Sequence, residues 1–334
     1  LQSEKLGAGM MFIRTDWAVD ELHELYEMSL IELVTKASQI HSQHHKVGEV
    51  QVCHLISIKT GGCIEDCKYC AQSSFYQTNI KAEPMMSYEN ALLRAKEAIA
   101  QGATRVCLGA AWRGVRNNKQ FEQTLRIVKG IAELGVEVCC TLGFVDESQA
   151  RMLKEAGLYA YNHNLDSSED FYKTIITTRS YQERLNTLDM VEKVGLSVCC
   201  GGIVGMGESK EDRLRLLHTL CTRNPHPESV PINQLSPIEG TPLENQKPLS
   251  CWEVVKLIAI ARIIMPKTMV RLSAGRIDMS FQEQALCFLA GANSIFSGEK
   301  LLTVANTSIN ADSEMFRQLG LKKQCAFAYE DSTK

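Results

Sequence analysis

Residues 137–164 read EVCCTLGFVDESQARMLKEAGLYAYNHN. The opening run Glu137–Thr141 is short, rich in valine and cysteine, and reads as a buried strand. Asp146–Ala156 follows with helical periodicity, Gly157 supplies a C-terminal stop, and Tyr159–Asn164 begins a new strand. One strand, one helix and the next strand in so few residues describe a parallel pair joined by a crossover helix. Working outward, the same unit recurs along the chain. Strands are expected near Val50–Ile58, Thr104–Leu108, Glu137–Thr141, Tyr159–Asn164, Ser197–Gly202, Ser229–Asn233, Met269–Ser273 and Ser294–Phe296. Helical stretches lie between them at Tyr88–Gln101, Lys119–Leu134, Asp146–Ala156, Ser180–Val194, Glu211–Arg223, Ser250–Ile264 and Met279–Ala290. Eight alternations fit a closed (β/α)8 barrel of the TIM type better than an open doubly wound sheet. Chemistry in such a barrel sits at the C-terminal ends of the strands and in the loops after them.

Trp17–Val47 reads as helical and polar on one face, an N-terminal helical extension. The expected division is 1–47 for the extension, 48–322 for the barrel and 323–334 for a tail, polar and without fixed structure from about Ala326. Residues 1–9, ahead of Met10 and Met11, carry no weight in this reading. His41, His44 and His45 are expected on a solvated face, with no carboxylate or cysteine to complete a site.

Hydrophobic residues make up 45% of the 334, enough for a large core, and 22% are charged, which speaks against disorder. A net charge of -3 and a pI near 6.3 argue against a nucleic-acid or anionic-membrane partner. The longest apolar run, Val254–Met265, is broken by Lys256 and Arg262 and falls short of the ~18 residues of a membrane helix. No charged-then-apolar leader is visible, so the expectation is a soluble cytoplasmic protein. Thirteen cysteines, an odd number in a chain of this kind, make a disulfide framework improbable.

After the first strand comes Thr60-Gly61-Gly62-Cys63-Ile64-Glu65-Asp66-Cys67-Lys68-Tyr69-Cys70. Three thiolates on one short loop can converge on one face of an iron–sulfur cluster and leave an iron open. A closed zinc site wants a fourth cysteine or histidine, and His54 lies on the preceding strand, poorly placed to supply it. After the fifth strand, Gly201-Gly202-Ile203-Val204-Gly205-Met206-Gly207-Glu208 lets a backbone approach a flat ring closely. It lacks the spacing of a dinucleotide fingerprint.

Three more cysteines, Cys107, Cys139 and Cys199, fall on strands. Strand parity places Cys139 and Cys199 toward the lumen with Thr141 and Gly201, and turns Cys140 and Cys200 outward. Arg271 on the seventh strand projects into the same lumen and needs a partner there. Two accounts fit these residues alone. The cysteines fill the barrel while Arg271 meets a substrate carboxylate, or all four surround a second cluster. At the end of the fourth strand Asn162, Asn164 and Asp166 alternate toward the lumen, His163 turns outward into packing, and Asn233 ends the sixth strand.

The cysteine loop, with Tyr69 before its last cysteine, and the Gly201–Glu208 stretch resemble the radical S-adenosylmethionine (SAM) superfamily. Further phrases resemble the biotin synthase family in order and spacing: Cys107–Trp112, Tyr161–Asp166, Ile175–Arg179, Val270–Arg276 and Gly291–Phe296. The likeness runs from about Val50 to Leu321. It implies a [4Fe–4S] cluster on Cys63, Cys67 and Cys70, with SAM on its open iron and cleaved on reduction to a 5′-deoxyadenosyl radical. It implies a [2Fe–2S] cluster on Cys107, Cys139, Cys199 and Arg271 that donates sulfur to dethiobiotin. Tyr69, Asn164, Asp166, Arg184, Gly201, Ile203 and Gly205 are then expected around SAM, with Asn164 and Asn233 on the substrate. The family further implies a homodimer, an electron donor such as flavodoxin or ferredoxin, and the iron–sulfur assembly machinery. Two readings compete: another radical SAM barrel, such as a hydrogenase-cofactor maturase, which has no need of all four lumen residues, and an iron–sulfur carrier, which would expose its cluster. Cys53, Cys221, Cys251, Cys287 and Cys325 match no ligand spacing.

Overall fold

In a computed structural model of the chain, residues 13–327 are described. Residues 1–9 and the end of the tail lie outside them. Nine strands build the barrel: β1 (Glu49–Lys59), β2 (Arg105–Ala110), β3 (Glu137–Thr141), β4 (Ala160–Asn162), β5 (Ser197–Cys199), β6 (Gly202–Val204), β7 (Ser229–Gln234), β8 (Met269–Leu272) and β9 (Ser294–Ser297). They pair in parallel in chain order, and β9 returns to β1, with Gln51 opposite Ser294, to close the ring. The eight expected strands are all present. The fifth is split into β5 and β6, both of which pair with β7. Between the two segments Gly201 lies tight against β7, where a Cβ would come within 2.0 Å of the carbonyl oxygen of Pro231.

The barrel helices are α3 (Tyr88–Ala100), α4 (Lys119–Ala132), α5 (Glu147–Glu155), α6 (Glu169–Ile175), α7 (Tyr181–Lys193), α8 (Lys210–Cys221), α9 (Cys251–Ile264), α10 (Phe281–Leu289) and α11 (Ile309–Leu319), preceded by α1 (Val19–Glu27) and α2 (Leu30–His44). Most start on a serine, asparagine or aspartate whose side chain accepts from the first turn, as at Asn118, Asp146, Ser180, Ser209 and Ser280. Helix α9 is mostly apolar and is buried from Val254 to Ile264 except at Lys256, so it needs cover on more than one face. The fold satisfies this by laying the N-terminal extension over it: Leu33 and Ala37 of α2 are fully buried and α2 packs along α9.

That packing corrects the expectation for the histidines. His41 is buried and stacks on His45, 5.1 Å between ring centroids. Nδ1 of His45 lies 3.1 Å from the Asn293 amide nitrogen, and its Nε2 lies 2.7 Å from the Arg262 guanidinium and 3.0 Å from the carbonyl oxygen of Pro266. His41 and His45 form a seam between extension and barrel, while His44 beside them is only partly covered. Helices α6 and α11, the hairpin of β10 (Lys300–Leu301) and β11 (Val304–Ala305), and the short β12 (Lys322–Lys323) add to the expected set. Lys323 pairs with Val50, and the backbone N–H of Phe327 donates to Glu137, so the first tail residues are fastened to the barrel floor.

Candidate functional site

At the mouth, the cysteine loop leaves β1 through Gly61 and Gly62, both at positive φ. A side chain on Gly61 would also meet the Lys81 carbonyl at 2.8 Å. The residues between the cysteines anchor the loop. Glu65 is buried and pairs with Arg113 at 3.1 Å and Arg179 at 3.3 Å. Asp66 accepts from the backbone N–H groups of Thr177 and Thr178 at 2.9 and 3.1 Å. These anchors were not read from the sequence. The signal was there in the acidic pair inside the motif and the Thr-Thr-Arg run after α6, but nothing in spacing alone joins them. Cys63, Cys67 and Cys70 are partly buried, and burial is the main cause of their raised thiol pKa values, Cys70 to about 11. Cys70 also feels the charge of Cys63, and Cys67 that of Cys70, so the three thiols lie within electrostatic reach of one another. Among the described residues no three His, Cys, Asp or Glu side chains converge as they would on a single ion. Ligands of a multi-iron cluster stand further apart, and three thiols without a fourth ligand suit one with an open iron.

Tyr69 donates to Asp166 at 2.8 Å, and Asp166 pairs with Arg184 at 2.6 Å. Arg184 is buried and also donates to the Tyr172 hydroxyl at 2.8 Å and the Asn164 carbonyl at 2.5 Å. It is no solvated helix charge. Asp166 lies beyond β4 at φ 66, so a loop bridge to Gly202, and not strand alternation, brings it to the mouth. Asn164 accepts from the Gly201 N–H at 3.1 Å, and Asn233 donates to the Gly202 carbonyl at 3.0 Å. Tyr69, Cys70, Asn164, Asp166, Ile203 and Asn233 line one cavity of about 230 Å³, with Leu301 and Leu302 of the β10–β11 hairpin on its wall. Gly205 sits at φ 92 in the loop after β6, where Glu208 accepts from its N–H at 2.8 Å and from that of Met206 at 2.7 Å. The glutamate of the glycine motif therefore holds the loop's shape. His163 is buried and packs against Phe144, 5.7 Å between ring centroids.

Deeper in the lumen, Cys53, Cys107, Cys139 and Cys199 form a cluster of their own with Ala160, while Cys140 and Cys200 belong to the outer core. Parity chose correctly from both cysteine pairs. Arg271 is buried, donates to Cys199 Sγ at 3.6 Å, to Ser294 Oγ at 2.9 Å and to Gln51 Oε1 at 3.3 Å, and has no carboxylate partner among the described residues. Hydrogen bonds from Cys139 hold the neighbouring Cys107 and Cys199 thiols down, Cys199 to about 6. A buried cation facing thiolates and no carboxylate fits a thiolate-bound anionic cluster in chemistry and in charge. Below lies Arg105, fully buried between Glu137 at 2.7 Å and Glu228 at 2.8 Å. Sequence reasoning passed over Cys53. Gln51, a polar residue on a buried strand two positions earlier, marks the lumen face of β1 and with it Cys53.

Barrel, mouth cysteines and glycine strand together define a radical SAM enzyme, and the model of the Radical SAM superfamily matches residues 57–220. The Biotin and Thiamin Synthesis associated domain matches 231–322. The chain is 59% identical to the biotin synthase of Chlamydia abortus, covering 94% of this chain and 95% of that one. It is 54% identical to the mitochondrial biotin synthase of Arabidopsis thaliana, over 96% of this chain and 85% of the relative. The chain belongs to the biotin synthase family, with SAM, a [4Fe–4S] and a [2Fe–2S] cluster as its cofactors. Methylornithine synthase shares the fold at a TM-score of 0.78 and 19% identity, over 95% of this chain and 96% of that one. The [FeFe]-hydrogenase maturase HydG does so at 0.81 and 16%, over 95% and 74%.

Proposed function

We propose that this chain inserts sulfur into dethiobiotin to make biotin, with Cys63, Cys67 and Cys70 holding the [4Fe–4S] cluster and Cys107, Cys139, Cys199 and Arg271 the [2Fe–2S] cluster. When bound, these groups and SAM supply the 5′-deoxyadenosyl radical that opens C–H bonds and the sulfur that replaces the hydrogen. The protein's part is to bind, orient and keep dry. Asn233, fixed through Gly202, and Asn164, fixed through Gly201, present amide edges to the ureido ring of the substrate. Asp166 faces the SAM ribose, with Tyr69 bracing it. Arg184 keeps N–H donors beyond those used by Asp166, Tyr172 and Asn164, and these meet the SAM carboxylate. Gly201, Ile203 and Gly205 border the adenine. The apolar hairpin residues Leu301 and Leu302 shield the cavity from water.

One observation carries this reading: a single barrel has a thiol trio at its mouth, further thiols in its lumen beside an arginine that has no carboxylate partner among the described residues, and a polar-lined cavity at the mouth. A cluster carrier needs no such cavity, and a maturase needs no such lumen set. The electron donor is assigned to the flavodoxin or ferredoxin class, cluster supply to the iron–sulfur assembly machinery, and the assembly to a homodimer. The cytoplasm is the expected compartment, since free thiols persist in reducing surroundings. We assign residues 1–47 to an extension, 48–322 to the barrel and 323–334 to a tail. Among the described residues no helix is long and apolar enough to cross a membrane.

The test is an anaerobic reaction of the reconstituted protein with SAM, a reductant and dethiobiotin, read by mass spectrometry. Biotin with 5′-deoxyadenosine is expected. Deoxyadenosine alone would overturn the substrate or the second cluster. Neither product, with the [4Fe–4S] cluster present, would favour a carrier.

A further inference from the structure

Four thiols, not three, occupy the lumen. Cys53 is fully buried and packs with Cys107, Cys139 and Cys199, apart from the outer core that takes Cys140 and Cys200. It lies within side-chain hydrogen-bond reach of Cys107, and its Sγ–H donates to Gln51 Oε1 at 3.4 Å. Ser294 Oγ is 3.7 Å from the same sulfur. Arg271 uses the same two groups, Gln51 Oε1 at 3.3 Å and Ser294 Oγ at 2.9 Å. Cys53 and Arg271 therefore stand side by side, held by a shared pair of polar residues and facing the same part of the cage. A cysteine that only filled space would have no need of two polar partners, and the outer apolar layer shows where such cysteines go.

We propose that Cys53 is an accessory ligand of the second cluster, a fourth thiolate that takes the iron position of Arg271 when the arginine withdraws. This rests on the assignment of the lumen to the [2Fe–2S] cluster. In the exchange an iron–nitrogen bond gives way to an iron–sulfur bond. Cys53 passes its thiol proton to the released guanidine, so no outside acid, oxidant or reductant is needed. Thiolate is the softer donor and the commoner ligand of such clusters. The exchange gives the cage a second way to keep its iron.

The test uses anaerobically reconstituted protein, with iron analysis, Mössbauer spectroscopy and resonance Raman as readouts. Arg271→Met is expected to keep the second cluster with an all-thiolate spectrum. Arg271→Met combined with Cys53→Ser is expected to lose it. Cys53→Ser alone should keep it, because Arg271 remains. If Arg271→Met fails to fold by circular dichroism, Arg271→Lys, which keeps the charge, carries the same comparison. The inference is overturned if the second cluster of the arginine variant has the same spectrum and occupancy with or without Cys53, or is missing while Cys53 is intact. Cys139→Ala is the control for the underlying assignment. It should lose the second cluster, and a cluster retained there would sink the lumen assignment and this inference with it.

Discussion

Single residues decide whether this barrel closes around its site. Gly201 is a steric case: its missing Cβ would sit 2.0 Å from backbone oxygen, which cannot swing aside as a side chain can. Gly201→Ala is expected to destabilise the cofactor-free protein by about 1–3 kcal/mol or more through overpacking. A urea midpoint equal to that of the parent chain would refute the steric account. Arg184 is the electrostatic case. Its loss leaves the buried Asp166 without its cation, and breaking such a pair costs about 3–5 kcal/mol. Arg184→Ala is therefore expected to lower the unfolding free energy strongly even with no cofactor present, and to weaken SAM binding in the holoprotein. Removing Asp166 as well, as in Arg184→Ala with Asp166→Ala, should recover part of the stability. A double variant no better than the single would show that the pair is not the source. Residue choices like these were only partly legible in the sequence. Parity separated Cys139 from Cys140 because a strand has two faces and Thr141 marked one of them. Cys53 escaped because no marker was taken for β1, although Gln51 stood two positions away.

At the scale of elements, the eight strands were readable because buried parallel strands are short apolar runs bounded by glycine and helix caps. Helix α6 and the β10–β11 hairpin were not, being too short to show a period of their own. The seam between α2 and α9 was hidden for a different reason. Histidine is polar by type, and only tertiary packing makes it a core residue. That packing has a pH signature. Burial first, then the neighbouring Arg262 charge, lowers His41 to about 4 and His45 to about 2. Both are neutral when folded, whereas an unfolded histidine titrates near 6.5. The unfolded chain thus binds more protons below that value, and stability present above about pH 6.5 is lost as pH falls toward the folded values. The expected result is a thermal midpoint that drops between about pH 6.5 and 4 more steeply in the parent chain than in His41→Phe. Phenylalanine suits the site because Nδ1 of His41 is buried without a partner. Parallel pH profiles for the two proteins would remove the histidine seam as the cause.

The whole molecule is threaded by one chain of polar contacts along the barrel axis. It runs from Glu137 at the floor through Gln51 at 3.1 Å to Arg271 and Cys199, then through Asn162 to Asn164, and on through Arg184 and Asp166 to Tyr69 in the cysteine loop. The two thiol trios are the stations at its middle and its upper end. They share no side chain, and different loops and strands hold them, so their chemistry should separate on mutation. Cys139→Ala removes a thiol from the lumen and leaves Glu65, Asp66 and the loop they anchor untouched. Reductive SAM cleavage should persist within a few fold of the parent rate while biotin formation falls below detection. Cys67→Ala should abolish both, since nothing else on the described chain replaces a mouth thiol. Measuring 5′-deoxyadenosine and biotin in the same anaerobic reactions checks both at once. If Cys139→Ala stops SAM cleavage while the [4Fe–4S] cluster is still present, the contact chain through Cys199, Asn162 and Asn164 couples the two sites more tightly than two independent cages allow.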